Sequence, residues 1–158
     1  MQKLASSRFG AWYFSKTQQP LDALVLKLTG TRTATSLLAG LPVIFITARG
    51  AKTGQPRTVP LLCIRNEQDP TEVALVATNW GQRHYPSWYF NLKTHPEASG
   101  AIDGKTKTYL AHEAEGEVYA RYWQRAMETY LGFPKYQQRI GDSRQIPIMV
   151  LREKESAL

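Results

Sequence analysis

Nine residues, Arg49-Gly50-Ala51-Lys52-Thr53-Gly54-Gln55-Pro56-Arg57, bring together three cations, two glycines and a proline. Glycine lets the backbone turn with its N–H groups outward, and such an array flanked by cationic side chains can cradle an anion. The stretch reads either as a phosphate-binding loop or as a surface hairpin whose charges are simply solvated. It is not a Walker A motif, because Lys52-Thr53 follows Gly50 by two residues and no helix starts after Gly54. Other side chains carry chemistry of a different kind. Tyr130, Phe133 and Tyr136 recur every three residues. A tyrosine hydroxyl can donate a proton or a hydrogen bond to a developing oxyanion, although spacing alone favours three aromatics that seal a barrel. Thr78-Asn79-Trp80-Gly81 is a polar exit from an apolar run, where ligand contacts are often placed. His84, His95 and His112 are too widely spaced for a metal site, and Cys63, between Leu62 and Ile64, reads as a buried inert thiol. There is no Gly-x-Ser-x-Gly elbow and no acid–base dyad, so redox or transfer chemistry would fall to a cofactor.

The elements that must position these groups are short. Val43-Ile44-Phe45-Ile46 and Val59-Pro60-Leu61-Leu62-Cys63-Ile64 are apolar runs on either side of the basic loop. They predict strands over about 42–48 and 58–65. Val73 to Ala77 predicts a third strand. Pro86 suits the first turn of a helix that carries Trp88 and Asn91 as far as Pro96. The aromatics of that helix could pack a planar ring or simply fill a core. Asp103-Gly104 is a hairpin signal between strands at 98–102 and 105–114. Val118, Tyr119, Tyr122, Trp123, Ala126, Met127 and Tyr130 recur at helical spacing, predicting a helix over 115–131 that Gly132 and Pro134 end. A short turn over 135–140 and a last strand over 146–151 follow. About six strands joined mostly by hairpins, without strand–helix alternation, point to a closed or half-open antiparallel barrel with peripheral helices.

At 158 residues, with 42% hydrophobic and 21% charged, the chain suits one globular domain with a proper core. One cysteine and no signal-peptide pattern suit a reducing, cytoplasmic setting. The net charge of +7 lies entirely in residues 1–35 and in the three cations of the loop. A nucleic-acid binder would more often spread positive charge along a face, so no specific nucleic-acid partner is expected. Residues 1–41 read as a helical arm, with Phe9, Trp12, Tyr13 and Phe14 beside Arg8 and Lys16, ahead of a helix at 21–28. That arm either packs on the domain or rests its aromatic, basic edge on the inner face of the membrane.

Residues 50–57 resemble the Gly-Arg-Lys-Ser-Gly-x-x-Arg loop of the deazaflavin (coenzyme F420)-dependent nitroreductase and quinone reductase family, relatives of the flavin-binding split β-barrel proteins. The likeness continues through Thr58-Val59-Pro60-Leu61, Ala77-Thr78-Asn79-Trp80-Gly81, Pro86 to Pro96, the Tyr130 to Tyr136 segment and Ile146-Pro147-Ile148. It implies a split β-barrel that passes a hydride from reduced F420 to a quinone, nitroaromatic or other electron-poor acceptor. It implies that Lys52, Thr53, Gln55, Pro56 and Arg57 hold the cofactor's acidic tail. Ala77, Thr78 and Asn79 would lie by its ring system, with Trp88 and Asn91 contacting it from the helix. Tyr130, Tyr136 and Thr78 would serve the reaction, and Leu62, Trp80 and Phe133 would shape the acceptor pocket. Ala51 departs from the family's usual basic residue, Trp80 from a frequent glycine, and Leu62 and Phe133 from positions that can be tyrosine. These departures bear on nitro-reduction more than on cofactor binding. FMN in the same fold, and a non-catalytic deazaflavin carrier, are the alternatives. Barrels of this type often pair into homodimers, or an N-terminal helix covers the same surface instead.

Overall fold

The computed structural model describes residues 42–130 and 132–155; the N-terminal arm, and with it the helix and aromatic edge expected from the sequence, lies outside the described residues. Six antiparallel strands close into a barrel in the order β1-β2-β3-β6-β5-β4. β1 (Val43–Arg49) pairs with β2 (Pro56–Arg65) from Val43 opposite Leu62 to Arg49 opposite Pro56, so the basic loop is the tip of the first hairpin. β2 pairs with β3 (Glu72–Val76), and β3 pairs with β6 (Ile148–Glu153). β5 (Lys105–Glu113) lies between β6 and β4 (Glu97–Ile102), and β4 returns to β1 through Phe45, Ile46 and Thr47.

Period-two alternation divides the side chains between two apolar clusters. Ile44, Ile46, Ala48, Cys63, Val73, Leu75, Met149 and Leu151 form one cluster with Ala98 and Tyr109. Ile64, Ala74, Val76, Ile148 and Val150 form the other with residues of two helices, α2 (Gly116–Thr129) and α3 (Gly132–Ile140). β3 contributes to both clusters and all five of its residues are buried, hence the unbroken apolar run in its sequence. Cys63 is fully buried, and burial raises its thiol to about 11, so it stays protonated and inert.

Turn chemistry sets the corners. Asp103 and Gly104 both have positive φ, at 51° and 75°, as a two-residue primed hairpin requires. Gly100 sits where β4 passes closest to its neighbours; a Cβ there would lie 2.8 Å from Ile44 Cδ1 and from the Tyr109 ring. Two expectations need correction. Residues 132–140 are a helix rather than a break followed by a turn. Pro134 falls in its first turn, where no intrahelical N–H partner is lost. Val118 is 36% exposed and lies outside the buried stripe, because Tyr119, Tyr122, Trp123 and Ala126 already fill the face that meets the sheet.

Candidate functional site

The basic loop is closed by its own backbone. Gly50 N–H donates to Gln55 O at 2.8 Å, and Gly54 N–H donates to Gly50 O at 2.9 Å. Gly54 has φ +69°, and a Cβ on Gly50 would lie 2.7 Å from Thr53 Oγ1, so both positions need glycine for stated geometric reasons. Among the described residues no acceptor meets the Lys52 or Thr53 N–H groups, and no carboxylate pairs with Arg49, Lys52 or Arg57. These three differ in this from Arg65, Lys93, Lys107 and Arg152, which all have acidic partners. Solvated cations around outward N–H groups are an anion site in waiting.

Helix α1 (Ser87–Thr94), preceded by Pro86, forms the opposite wall. Trp88 is 8% exposed and belongs both to the apolar core and to the lining of a cleft of about 880 Å³. Asn91, also buried, accepts the Ala51 N–H on Oδ1 at 2.9 Å. This bond ties the helix to the loop, and it leaves the amide Nδ2 without a partner among the described residues. Lys52, Thr53 and Arg57 line one part of the cleft, Ile46, Val59 and Trp88 give it apolar walls, and Tyr85 and Asn79 complete it. Its volume falls within the range of sites for small molecules and cofactors.

The segment after β3 runs along the cleft in an uncommon backbone. Asn79, Trp80 and Gly81 have φ of 46°, 58° and 79°, three left-handed residues in succession. Asn79 Nδ2 donates to His84 O at 3.1 Å. Thr78 is 6% exposed, and its hydroxyl has no partner among the described residues. Arg144 holds this segment from outside. Its guanidinium donates to Ala77 O at 3.1 Å, Thr78 O at 2.9 Å and Gln82 O at 3.1 Å, and lies 4.8 Å from the centre of the Tyr85 ring.

Beyond this turn lies the tyrosine cluster. Tyr130 and Tyr136 face each other with their hydroxyls 3.2 Å apart, and Phe133 meets the Tyr130 ring edge-on. Trp80 meets Tyr136 edge-on at 6.1 Å between ring centres. Burial, and then the Tyr130 hydroxyl, raise Tyr136 to about 12, which keeps it a hydroxyl donor at neutral pH. Gly132 makes room for this ring: a Cβ there would lie 2.3 Å from Tyr130 Cε1.

The residues singled out in the sequence thus fall into two groups. Lys52, Thr53, Arg57, Asn79, Trp88 and Asn91 line the cleft, whereas Gln55 and Pro56 close the loop beside it. Leu62, Tyr130, Phe133 and Tyr136 share the second apolar cluster, and Trp80, 67% exposed, joins it through Tyr136. Ala77 is buried in the first apolar cluster with Ile46 and Trp88, and Thr78, also buried, follows it into the turn. Sequence reading missed Tyr85 and Phe90 as cleft residues and missed Arg144 altogether. An isolated arginine in a loop before the last strand gives no local signal of its partners, the most distant 67 residues away.

The model of the F420H(2)-dependent quinone reductase family matches residues 21–153. An F420H(2)-dependent quinone reductase of Mycobacterium tuberculosis is 34% identical over 119 residues, covering 72% of this chain and 74% of the relative. A solved F420-H2 dependent reductase is 34% identical, with a TM-score of 0.62, over 70% of this chain and 94% of that one. A second solved chain, described as a domain-swapped dimer, is 31% identical with a TM-score of 0.63 and covers 90% of this chain and 98% of that one. With a split-barrel fold, a cleft of cofactor size and a match spanning most of its length, this chain belongs to the F420H(2)-dependent quinone reductase family, oxidoreductases that use the deazaflavin coenzyme F420.

Proposed function

We propose that the cleft between the basic loop and α1 holds reduced F420, and that the Trp80–Tyr136 side receives a quinone. The observation that carries this reading is the juxtaposition of unpaired Lys52 and Arg57 with the apolar wall of Ile46, Val59 and Trp88 in one cleft. A cofactor with an acidic tail and a flat ring system has those two needs. The bound deazaflavin supplies the hydride; the chain supplies the geometry. Lys52, Thr53 and Arg57 hold the tail by charge and hydrogen bonding, with Gln55 and Pro56 fixing the loop's closure. Trp88 and the Asn91 amide orient the ring from the helix, and Ala77, Thr78 and Asn79 border it from the strand end. Tyr136, kept protonated and hydrogen-bonded to Tyr130, donates to an acceptor oxygen as charge develops there. Trp80, Phe133 and Leu62 limit the acceptor's size. The aromatic surround excludes water from the transfer.

The relative described as a domain-swapped dimer supports pairing of this chain, which light scattering would detect as twice the chain mass of 17.9 kDa. Among the described residues no helix is long and apolar enough to cross a membrane. The test of function is anaerobic turnover. Purified protein is given reduced F420 and menadione, and return of the oxidised deazaflavin absorbance is followed, with reduced FMN as control. Turnover with F420 and a quinone supports the reading. Turnover with FMN alone, or tight F420 binding without quinone reduction, would overturn it.

A further inference from the structure

We propose that Arg144 is a positioning residue for this site, resting on the reading of the cleft as the F420 pocket. Its fork holds the left-handed turn Asn79-Trp80-Gly81 and the Tyr85 wall in the one arrangement that serves both cofactor and acceptor.

The turn is costly by itself. Left-handed backbone is disfavoured for residues with a Cβ, most of all for a bulky one, and persists only where surrounding structure holds it. Trp80, at φ 58°, is such a residue, and its side chain is 67% exposed, so burial of its own ring does not account for the conformation. The other bonds are few: Gly81 N–H to Thr78 O at 3.0 Å, Gln82 N–H to Asn79 O at 3.0 Å, Asn79 Nδ2 to His84 O, and a long one from Arg139 Nη1 to Trp80 O at 3.5 Å. Arg144 adds bonds that span the turn. It reaches Ala77 O and Thr78 O on the entry side and Gln82 O on the exit side, while its guanidinium lies over Tyr85. A fourth N–H donates to its neighbour's carbonyl, Gln145 O, at 2.9 Å.

No carboxylate pairs with Arg144 among the described residues, so its partners there are carbonyls and a ring face. Planar, divergent donors are what that set of partners requires. Lysine carries the same charge from a single nitrogen and cannot meet carbonyls on both sides of a turn while stacking on a ring. The consequence reaches both halves of the site. Asn79 and Tyr85 line the cleft, and Trp80 meets Tyr136. Releasing the turn moves all three at once.

The test compares wild type with Arg144→Lys and Arg144→Gln. Each is measured for thermal stability, for F420 affinity by fluorescence quenching, and for the Trp80 resonance in 5-fluorotryptophan protein, assigned with Trp80→Phe. Loss of charged hydrogen bonds of this kind weakens affinity on the order of tenfold. The expected result is a folded Arg144→Lys protein with F420 affinity about tenfold weaker and a displaced or broadened Trp80 resonance. An Arg144→Lys protein with wild-type affinity and an unmoved Trp80 resonance would overturn the proposal. If Arg144→Lys fails to fold, Arg144→Gln takes its place, and failure of both to fold assigns the residue to general stability and overturns the proposal as well. Wild type that does not bind F420 would instead remove the cofactor reading, while the Trp80 resonance still reports whether Arg144 holds the turn.

Discussion

The bond from Ala51 N–H to Asn91 Oδ1, 2.9 Å long, is the direct link between the basic loop and α1, and two substitutions separate its parts. Asn91→Leu keeps the approximate shape and removes the acceptor. The Ala51 N–H, in a half-buried position, is then left unpaired, at a cost toward the lower end of about 1–3 kcal/mol. For a domain of this size that corresponds to a melting temperature lower by roughly 3–5 °C. A loop that has lost this anchor must be ordered by the ligand, so F420 affinity falls by about five- to tenfold. Asn91→Asp keeps the acceptor, and a charged one, so the loop stays anchored and the melting temperature holds or rises. The same change turns the remaining amide into a second anionic oxygen inside the cleft proposed for an anionic cofactor, and affinity falls by more than tenfold. Thermal melts and fluorescence titrations on the same preparations give both readouts. An Asn91→Asp protein that binds F420 as tightly as wild type, or an Asn91→Leu protein unchanged in both measurements, would rule out this role for Asn91.

Charge reversal at both Lys52 and Arg57 lowers F420 affinity by at least about tenfold and removes most of its salt dependence, measured by titration at low and high ionic strength. Gly132→Ala leaves the fold intact, because the obstructing atoms are the far end of the Tyr130 side chain, but it displaces that ring and opens the Tyr130–Tyr136 pair. Quinone turnover then drops while F420 affinity stays at the wild-type value; a loss of affinity instead would show that the tyrosines hold the cofactor. Tyr136 is raised from 10.0 to about 12, so the folded protein keeps that proton over a range where the unfolded chain releases it. Its contribution to stability is therefore complete below pH 10.0 and is lost as pH rises toward about 12. Denaturant midpoints across that range follow the decline, and Tyr136→Phe makes it shallower.

Much of the barrel was legible because its signals are local. The apolar run at Val73–Val76, the Asp103-Gly104 turn and the alternation through Ile44 and Ile46 each declare an element without reference to a partner. The basic loop was legible for the same reason, since its cations and glycines are contiguous. What the sequence hid depends on contacts across long separations. Asn91 reads as a ligand contact on the helix, and only the fold shows that its acceptor meets the Ala51 N–H, 40 residues away. Gly132 reads as a helix stop, yet its lack of a Cβ makes room for the Tyr130 ring. Pro134 reads as a breaker and is instead the first turn of α3. The left-handed Trp80 runs against every local preference, and only its bonded surroundings explain it.

On the proposed reading, Lys52 and Arg57 hold the cofactor by its acidic tail while the apolar wall takes the ring. The most direct measurement is a paired fluorescence titration of wild type and the Lys52→Glu, Arg57→Glu double variant, using whole F420 and the same chromophore without its acidic tail. Wild type is expected to bind whole F420 far more tightly than the tail-less chromophore, and the double variant to lose this preference while binding the chromophore as wild type does. Equal affinity of wild type for the two ligands, or a preference for whole F420 that survives charge reversal, would contradict it.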